Sequence, residues 1–562
     1  MKRTRISPAL PQNAATRGER PPLRLRGIPA AVAVAAMASA GLLAVPPSVS
    51  QAATTLNSNA LFVSPNGTAG AAGTESAPTT LASAITRITA GGTIYLRGGS
   101  YGLTQTVTIA TGNDGTSSAR KELSAYPGET PVLDFSAMSE DPANRGLALN
   151  GSFWHVYGIT VEHAGDNGIS VGGSNNIIER TVTAYNRDTG LQISRASSDA
   201  TRDQWPSNNL ILSSESHDNR DSTGENADGF AAKLTAGPGN VFRYDVSHNN
   251  IDDGWDLYTK NDTGPIDPVT IEDSLSYDQG TLSDGTQASN GDRNGFKLGG
   301  DDIPVNHIVR GNIAYGNGKH GFTYNSNPGS MSVSDNVSID NGERNFSFDN
   351  GTSVFRGNTS CRSSSGSNDK TIGDADSSNQ FWTGTNGSRC SSYSGALGWS
   401  FASDGSLVVT FGGKATTGGT ATSGGTGTTG STTTAGGATT TGGTTTTGGT
   451  TGGTGTGTGC TVTYTPSTWA GGFTANVTVT NTGSSAVNGW AVGFTLPSGQ
   501  AVTSVWNAAV SPSSGAVTAT NMAYNAQIPA NGSQSFGFQG TYSGSFAQPA
   551  TFSLNGTTCT TG

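Results

Sequence analysis

A glycine followed by apolar residues one and three positions later recurs along this chain at a nearly constant interval, and few folds accept that pattern. Gly168 is followed by Ile169 and Val171, Gly190 by Leu191 and Ile193, Gly229 by Phe230 and Ala232, Gly254 by Trp255 and Leu257, Gly295 by Phe296 and Leu298, and Gly321 by Phe322 and Tyr324. Asn345 holds the same place before Phe346 and Phe348. Side chains of a strand alternate with period two, so the two apolar positions share one face. Successive anchors lie 22, 39, 25, 41, 26 and 24 residues apart. Four of the six steps fall between 22 and 26, and the two long ones read as a coil plus an insertion or as two irregular coils. Short strands repeating at one coil length predict an all-β solenoid, a parallel β-helix. Its coils stack about 4.8 Å apart, which brings residues remote in sequence within reach of one ion.

The position two after each anchor must face away from that core. In three successive repeats it is Ala231, Asp256 and Lys297, so a carboxylate and an ammonium share one outward column on neighbouring strands. Asp228 directly precedes its anchor in NADGFAAK, and Asp252 and Asp253 precede theirs in DDGWDLY. Four carboxylates on one surface repel one another unless a cation sits among them. An all-oxygen set without His or Cys selects a hard ion, and Ca²⁺ is expected rather than Mg²⁺. Asp-Gly and Asn-Gly steps also make ordinary turns between coils, and an Asp-Lys surface pair on its own is worth under about 1 kcal/mol. No turn requires Asp256 beside Lys297, however, and that pair favours a site.

The rest of the composition describes an exported, modular chain. Of 562 residues 81 are Gly and 12% are charged, which suits a turn-rich β architecture with a linker. Residues 1–52 read as a signal peptide: Lys2, Arg3, Arg5, Arg17, Arg20, Arg24 and Arg26 form a basic start, residues 28–45 are apolar, and Ser50-Gln51-Ala52 offers a cleavage site. The weak hydrophobicity of this alanine-rich stretch, with no stop-transfer flank, argues against a membrane anchor. Removing 1–52 takes seven basic residues and Glu19 from totals of 30 and 40, leaving 23 against 39 and a net charge of −16. With no basic stripe left, nucleic acid is not an expected partner. Four cysteines without a C-x-x-C suit an oxidising compartment, and Cys361 with Cys390 and Cys460 with Cys559 is the simplest pairing. Residues 415–459 are all Thr, Gly, Ser or Ala, a flexible linker spanning roughly 40 Å. It separates a β-helix at 53–414 from a second module at 460–562, and a secreted monomer is expected.

On NADG at Asp228, DDGWD at Asp252, Asp253 and Asp256, and NGFKLGG at Lys297, the sequence strongly resembles polysaccharide lyase family 9, the pectate lyases with a right-handed parallel β-helix. The resemblance covers about residues 58–412. It implies that the four aspartates bind a catalytic calcium and that Lys297 is the base, in place of the arginine of other pectate lyase families. Such a site suits β-elimination from polygalacturonate: the C5 proton is α to a carboxylate, and a cation on that carboxylate stabilises the developing anion. A lysine base needs partial desolvation or a high working pH, and an alkaline optimum follows. The net charge opposes a polyanionic substrate, yet calcium inverts the field locally.

Two rival readings exist. Polygalacturonases share the fold, and Asn226 with Asp228, Asp252 with Asp253, and His320 with Gly321 mimic part of their pattern, but the R-x-K element is missing. A non-catalytic wall-binding β-helix would not need Lys297.

The last hundred residues carry alternating strands (ANVTVTN, GWAVGFTL, QSFGFQG) between Gly, Ser and Asn turns, which predicts a β-sandwich. W-x-x-GF at Trp469, NGW at Trp490, VW at Trp506, YN-x-x-IP at Tyr524 and NG-x-x-C before Cys559 resemble family 2 carbohydrate-binding modules. The resemblance implies an exposed strip of Trp469, Trp506 and Tyr524 that stacks on sugar rings, with Trp490 in the core. Tyr524 stands where the family commonly has Trp. Crystalline cellulose is the expected ligand of this module, with xylan and chitin as the alternatives.

Overall fold

The structure, a computed structural model, describes residues 56–287, 290–402, 404–416, 459–469, 472–506, 508–521, 526–530 and 532–561. The expected signal peptide, most of the expected linker and Tyr524 lie outside the described residues. No helix among the described residues is long and apolar enough to cross a membrane.

The repeating frame builds a parallel β-helix of three sheets with 12, 10 and 10 strands. Each anchored strand belongs to one 10-stranded sheet, called here the site sheet. Its register joins Ile169 to Leu191, Leu191 to Phe230, Phe230 to Trp255, Trp255 to Phe296, Phe296 to Phe322 and Phe322 to Phe346. Both long steps are therefore single coils with insertions, because the strands on either side pair directly. The insertions fall in the two turns flanking the site sheet: Leu191–Ile193 is followed by Leu210–Leu212 and Trp255–Asp256 by Thr270–Glu272, while Glu215–His217 leads to Phe230–Ala232 and Leu275–Tyr277 to Phe296–Lys297.

Inside the coils the first apolar position stacks ring on ring. Phe230, Trp255, Phe296, Phe322 and Phe346 are fully buried, with successive centroids 5.0, 4.8, 4.6 and 5.1 Å apart. The anchor is glycine because of crowding: a Cβ at Gly254 would lie 2.1 Å from Ser276 Oγ and 2.5 Å from the Gly295 carbonyl. At the corner after the third sheet (the other 10-stranded one), an amide ladder seals the coils. Backbone N–H groups of Asn186, Asn219, Asn250, Gln279, Asn317 and Asn341 each donate to the side-chain oxygen of the next member, ending at Asn345. The asparagine side-chain amides also donate back to carbonyls of the preceding coil, as Asn250 does to Ser216 O and Asn317 to Ser276 O, while that of Gln279 donates to the hydroxyls of Ser247 and Ser276. These are buried polar groups whose partners must lie inside the protein.

Two elements fall outside the repeat. The helix Leu81–Arg87, N-capped by Thr80, buries Leu81, Ala84 and Ile85 in the first coils. An antiparallel sheet of Leu397–Phe401, Leu407–Phe411 and Lys414–Thr416 packs Val409 and Phe411 on Val246, Leu275, Ile313 and Val337 of the third sheet. Its last strand includes Ala415 and Thr416, two residues into the expected linker. Disulfides join Cys361 to Cys390 and Cys460 to Cys559.

The described residues of 460–561 form two five-stranded sheets with a short two-stranded one, antiparallel throughout except where Thr560–Thr561 pairs in parallel with Cys460–Trp469. Trp490 is buried between them with Phe494, Phe536 and Phe538. Trp469 closes the strand Cys460–Trp469 and Trp506 closes Gln500–Trp506, while their side chains lie outside what is described.

Candidate metal and catalytic site

Parallel pairing sets Asp256 directly beside Lys297 and Ala231 beside Asp256, so the expected outward column exists. These side chains face away from the apolar core yet are sunk beneath the neighbouring turns: Asp256 is 5% and Lys297 9% exposed. Asp228, Asp252 and Asp253 stand on the turns entering these strands and are equally buried, and one carboxylate oxygen from each lies within 4.8 Å of the other two. Asp256 borders this trio through its Oδ2, 3.4 Å from Lys233 Nζ and 3.9 Å from Lys297 Nζ.

Each carboxylate is held differently. Asp228 Oδ2 accepts from Lys233 Nζ at 2.6 Å and from Thr189 Oγ1 at 3.1 Å. Asp252 Oδ1 accepts from the backbone of Asp292 and Arg293. Asp253 Oδ1 accepts from Asn294 N at 2.6 Å and Nδ2 at 2.9 Å. The other oxygen of Asp253 has only an ion pair with Lys297, at 3.2 Å, and Asp256 Oδ1 is buried without a hydrogen-bond partner among the described residues. Burial first, and then the neighbouring carboxylates, push Asp228 up to about 6, Asp253 to about 7 and Asp252 well above the usual range, against the pull of Lys233 on Asp228 and of Lys297 on the other two. Acids raised by burial and then by mutual repulsion, with oxygens left unmatched, are what a divalent cation would relieve, so these residues fit one.

Lys297 Nζ sits 3.2 Å from both Asp253 and Asp292 and 5.7 Å from the ring centre of Tyr258. Burial alone would lower its amine, but Asp256, Asp253, Asp252 and Asp228 outweigh it and hold the group well above its ordinary value. Lys233 is held up in the same way by Asp228 and Asp256. Two neighbours escape a reading by motif. Asp292 bridges Lys297 to Lys319 (2.9 Å), and Lys319 lies two positions before Gly321. Both are in turns, where no strand period operates; only aligning the turns on the anchors would have put Asp292 near Lys297. His320, part of the rival hydrolase pattern, is buried and lowered to about 4, and its Nδ1 accepts from Arg344 N.

Fold and site together define a β-helix protein that carries acidic, lysine-bearing chemistry on one outward sheet. Comparison with known proteins makes the class specific. The profile described as "Pel9A-like, right handed beta helix region" matches residues 61–363, and that of the "Cellulose binding domain" family CBM_2 matches 460–559. The chain belongs to the Pel9A-like β-helix family and carries a CBM_2 domain behind it. It is 56% identical over 333 residues to Pectate lyase L of Paenibacillus polymyxa, covering 59% of this chain and 74% of that one. A solved structure of pectate lyase Pel9A superposes with a TM-score of 0.52 at 31% identity, over 62% of this chain and 86% of the other. The C-terminal domain is 45% identical over 104 residues to Exoglucanase A of Cellulomonas fimi, 18% of this chain and 12% of that one.

Proposed function

We propose that this pectate lyase is a secreted enzyme that cleaves polygalacturonate by calcium-dependent β-elimination, with Lys297 as base, while its C-terminal domain holds it on cellulose. The observation that carries this reading is the Asp256–Lys297 register beside three converging carboxylates, with one oxygen of Asp253 and one of Asp256 buried and without a hydrogen-bond partner among the described residues. Asp228, Asp252, Asp253 and Asp256 would hold the calcium, which supplies positive charge where the substrate carboxylate gathers electron density.

The chain's own residues do the rest. Lys297 must accept the C5 proton as the C4–O4 bond breaks, the electron pair of C5–H becoming the C4–C5 double bond. Its amine can do so only when the surrounding negative charge is compensated, because the same four carboxylates favour its protonated form. Asp292 and Asp253, each 3.2 Å from Nζ, fix where the amine points. All these groups come from a single chain, which is why a monomer suffices. The domain limits follow the same reading: a signal peptide at 1–52, the lyase at 53–414, a linker at 415–459 and the cellulose-binding domain from 460.

The test is an assay of the purified protein on polygalacturonate with and without a chelator. Ultraviolet absorbance of an unsaturated product that vanishes with the chelator and returns with calcium supports the reading. Reducing ends without absorbance would move it to a hydrolase, and elimination that survives the chelator would remove the metal role.

A further inference from the structure

The residue that follows a strand of the third sheet adopts a left-handed backbone in seven successive coils. The column runs His163, Tyr185, Asp218, Asn249, Asp278, Gly316 and Asp340, with φ between 51 and 64°. Asp, Asn and Gly adopt this conformation readily, whereas a tyrosine there is uncommon and strained. The five later coils use the easy residues; the two coils before them place aromatic rings instead.

Those rings make a platform. Tyr185 is 44% exposed, one of two exposed large hydrophobic side chains among the described residues, and it stacks on His163 with centroids 5.4 Å apart and planes 16° apart. Below it opens a cleft of about 510 Å³ that also takes in Arg187 and Arg220. These two occupy one position on adjacent coils, two residues after Tyr185 and Asp218, and both point to solvent. Arg187 has one long contact, 3.7 Å to Glu140, and Arg220 has no side-chain hydrogen bond or ion pair among the described residues. The acids that share the cleft are committed elsewhere: Asp218 is buried on His217 and Ser283, and Asp221 accepts from Thr223, Glu225 and Asn226.

A half-exposed tyrosine ring, stacked on His163 and edge-on to His217, beside two available guanidinium groups suits a sugar ring that carries a carboxylate. We propose that this cleft is an outlying binding site for uronic acid units, holding the polymer outside the cleavage site. This rests on the reading of polygalacturonate as substrate. The turn bearing Tyr185 and Arg187 leads into Gly190, whose N–H donates to Asp228 O. Platform and site thus lie along one edge of the helix, one coil apart at Asp228 and about 14 Å apart at Lys297, counting coils.

Binding can be measured on the full chain silenced by Lys297→Ala, using a galacturonate decamer and a neutral galactan. Adding Tyr185→Ala, or Arg187→Gln with Arg220→Gln, should weaken decamer binding roughly threefold to tenfold in each case, with thermal unfolding unchanged and no galactan binding in the parent. Decamer affinity within twofold of the parent in both variants overturns the site. An effect of Tyr185→Ala without one from the arginine pair overturns the uronate assignment. A parent that binds no decamer overturns the substrate reading and this proposal with it, whereas a binding parent with unchanged variants overturns the cleft alone.

Discussion

The β-helix and the C-terminal sandwich bury aromatic rings in the same way but place their functional groups by different rules. In the β-helix, parallel in-register pairing carries one frame from coil to coil, so knowing where Gly254 and Gly295 sit is enough to put Asp256 beside Lys297. In the sandwich, antiparallel strands such as Cys460–Trp469 and Gly472–Asn481 meet in a register set by each turn separately, and no repeating sequence frame links Trp469, Trp506 and Tyr524. Chemistry written on a solenoid is legible by alignment within one chain; chemistry written on a sandwich is legible only by likeness to other chains.

If the two regions are independent as well as different, variants should divide cleanly between them. Lys297→Ala should lower turnover at least about 100-fold, the loss expected for a general base, and leave adsorption to microcrystalline cellulose unchanged. Residual activity above about a tenth of wild type would pass the role to Lys233, which lies between Asp228 and Asp256.

The converse variant, Trp469→Ala with Trp506→Ala, should cut cellulose adsorption about tenfold or more without altering the rate on soluble polygalacturonate. A fragment ending at Thr416 should behave likewise, because a flexible linker transmits no orientation. Undiminished retention of the double variant in a pull-down would mean the binding face lies elsewhere.

Stability should divide the same way. Phe296→Ala removes one ring from the stacked column and should cost about 3–5 kcal/mol in the β-helix transition, and calorimetry should show the sandwich transition in place. A shift of both transitions together would show that the regions unfold as one.

The smallest effect concerns pH. Asp228 and Asp253 are raised to about 6 and about 7, above the unfolded value of about 3.9. Such groups contribute stability that is full below the unfolded value and is lost as pH rises through the folded one. Without calcium the β-helix should lose that contribution between about pH 4 and pH 7, and calcium should compensate the exposed charge. Buried His307 and His320, lowered to about 3 and about 4, titrate in the opposite sense, destabilising the fold as pH falls below about 6.5. The quantity to follow is therefore the gain in Tm on adding calcium, which should be larger by a few degrees at pH 8 than at pH 5. Equal gains would separate the carboxylates from the cation.

The frame gave away more than its strands. The seven anchors, the core positions on either side of Asp256 and Lys297, and Trp490 in the sandwich core all stand where the sequence puts them. What could not be read belongs to segments without a period. The helix Leu81–Arg87 and the sheet ending at Thr416 occur once each and repeat nothing. Asp292 and Lys319 lie in turns of unequal length, where counting from a strand fails and only the folded coil shows which side chains meet.

The exception among the anchors has its own logic. Every amide of the corner ladder takes from the next coil what it gives to the one before, so the motif is a rule of propagation that any added coil of the same kind could obey. A growing series needs a stop. Asn345 provides it: standing in the place of glycine, it receives the last ladder bond from Asn341 within its own turn, and its amide donates to Ser360 Oγ and Cys361 O. The substitution that breaks the sequence pattern is the one at which the corner ladder ends, one coil before the last strands of the sheets, and the disulfide from Cys361 to Cys390 ties that last coil to the segment that follows it.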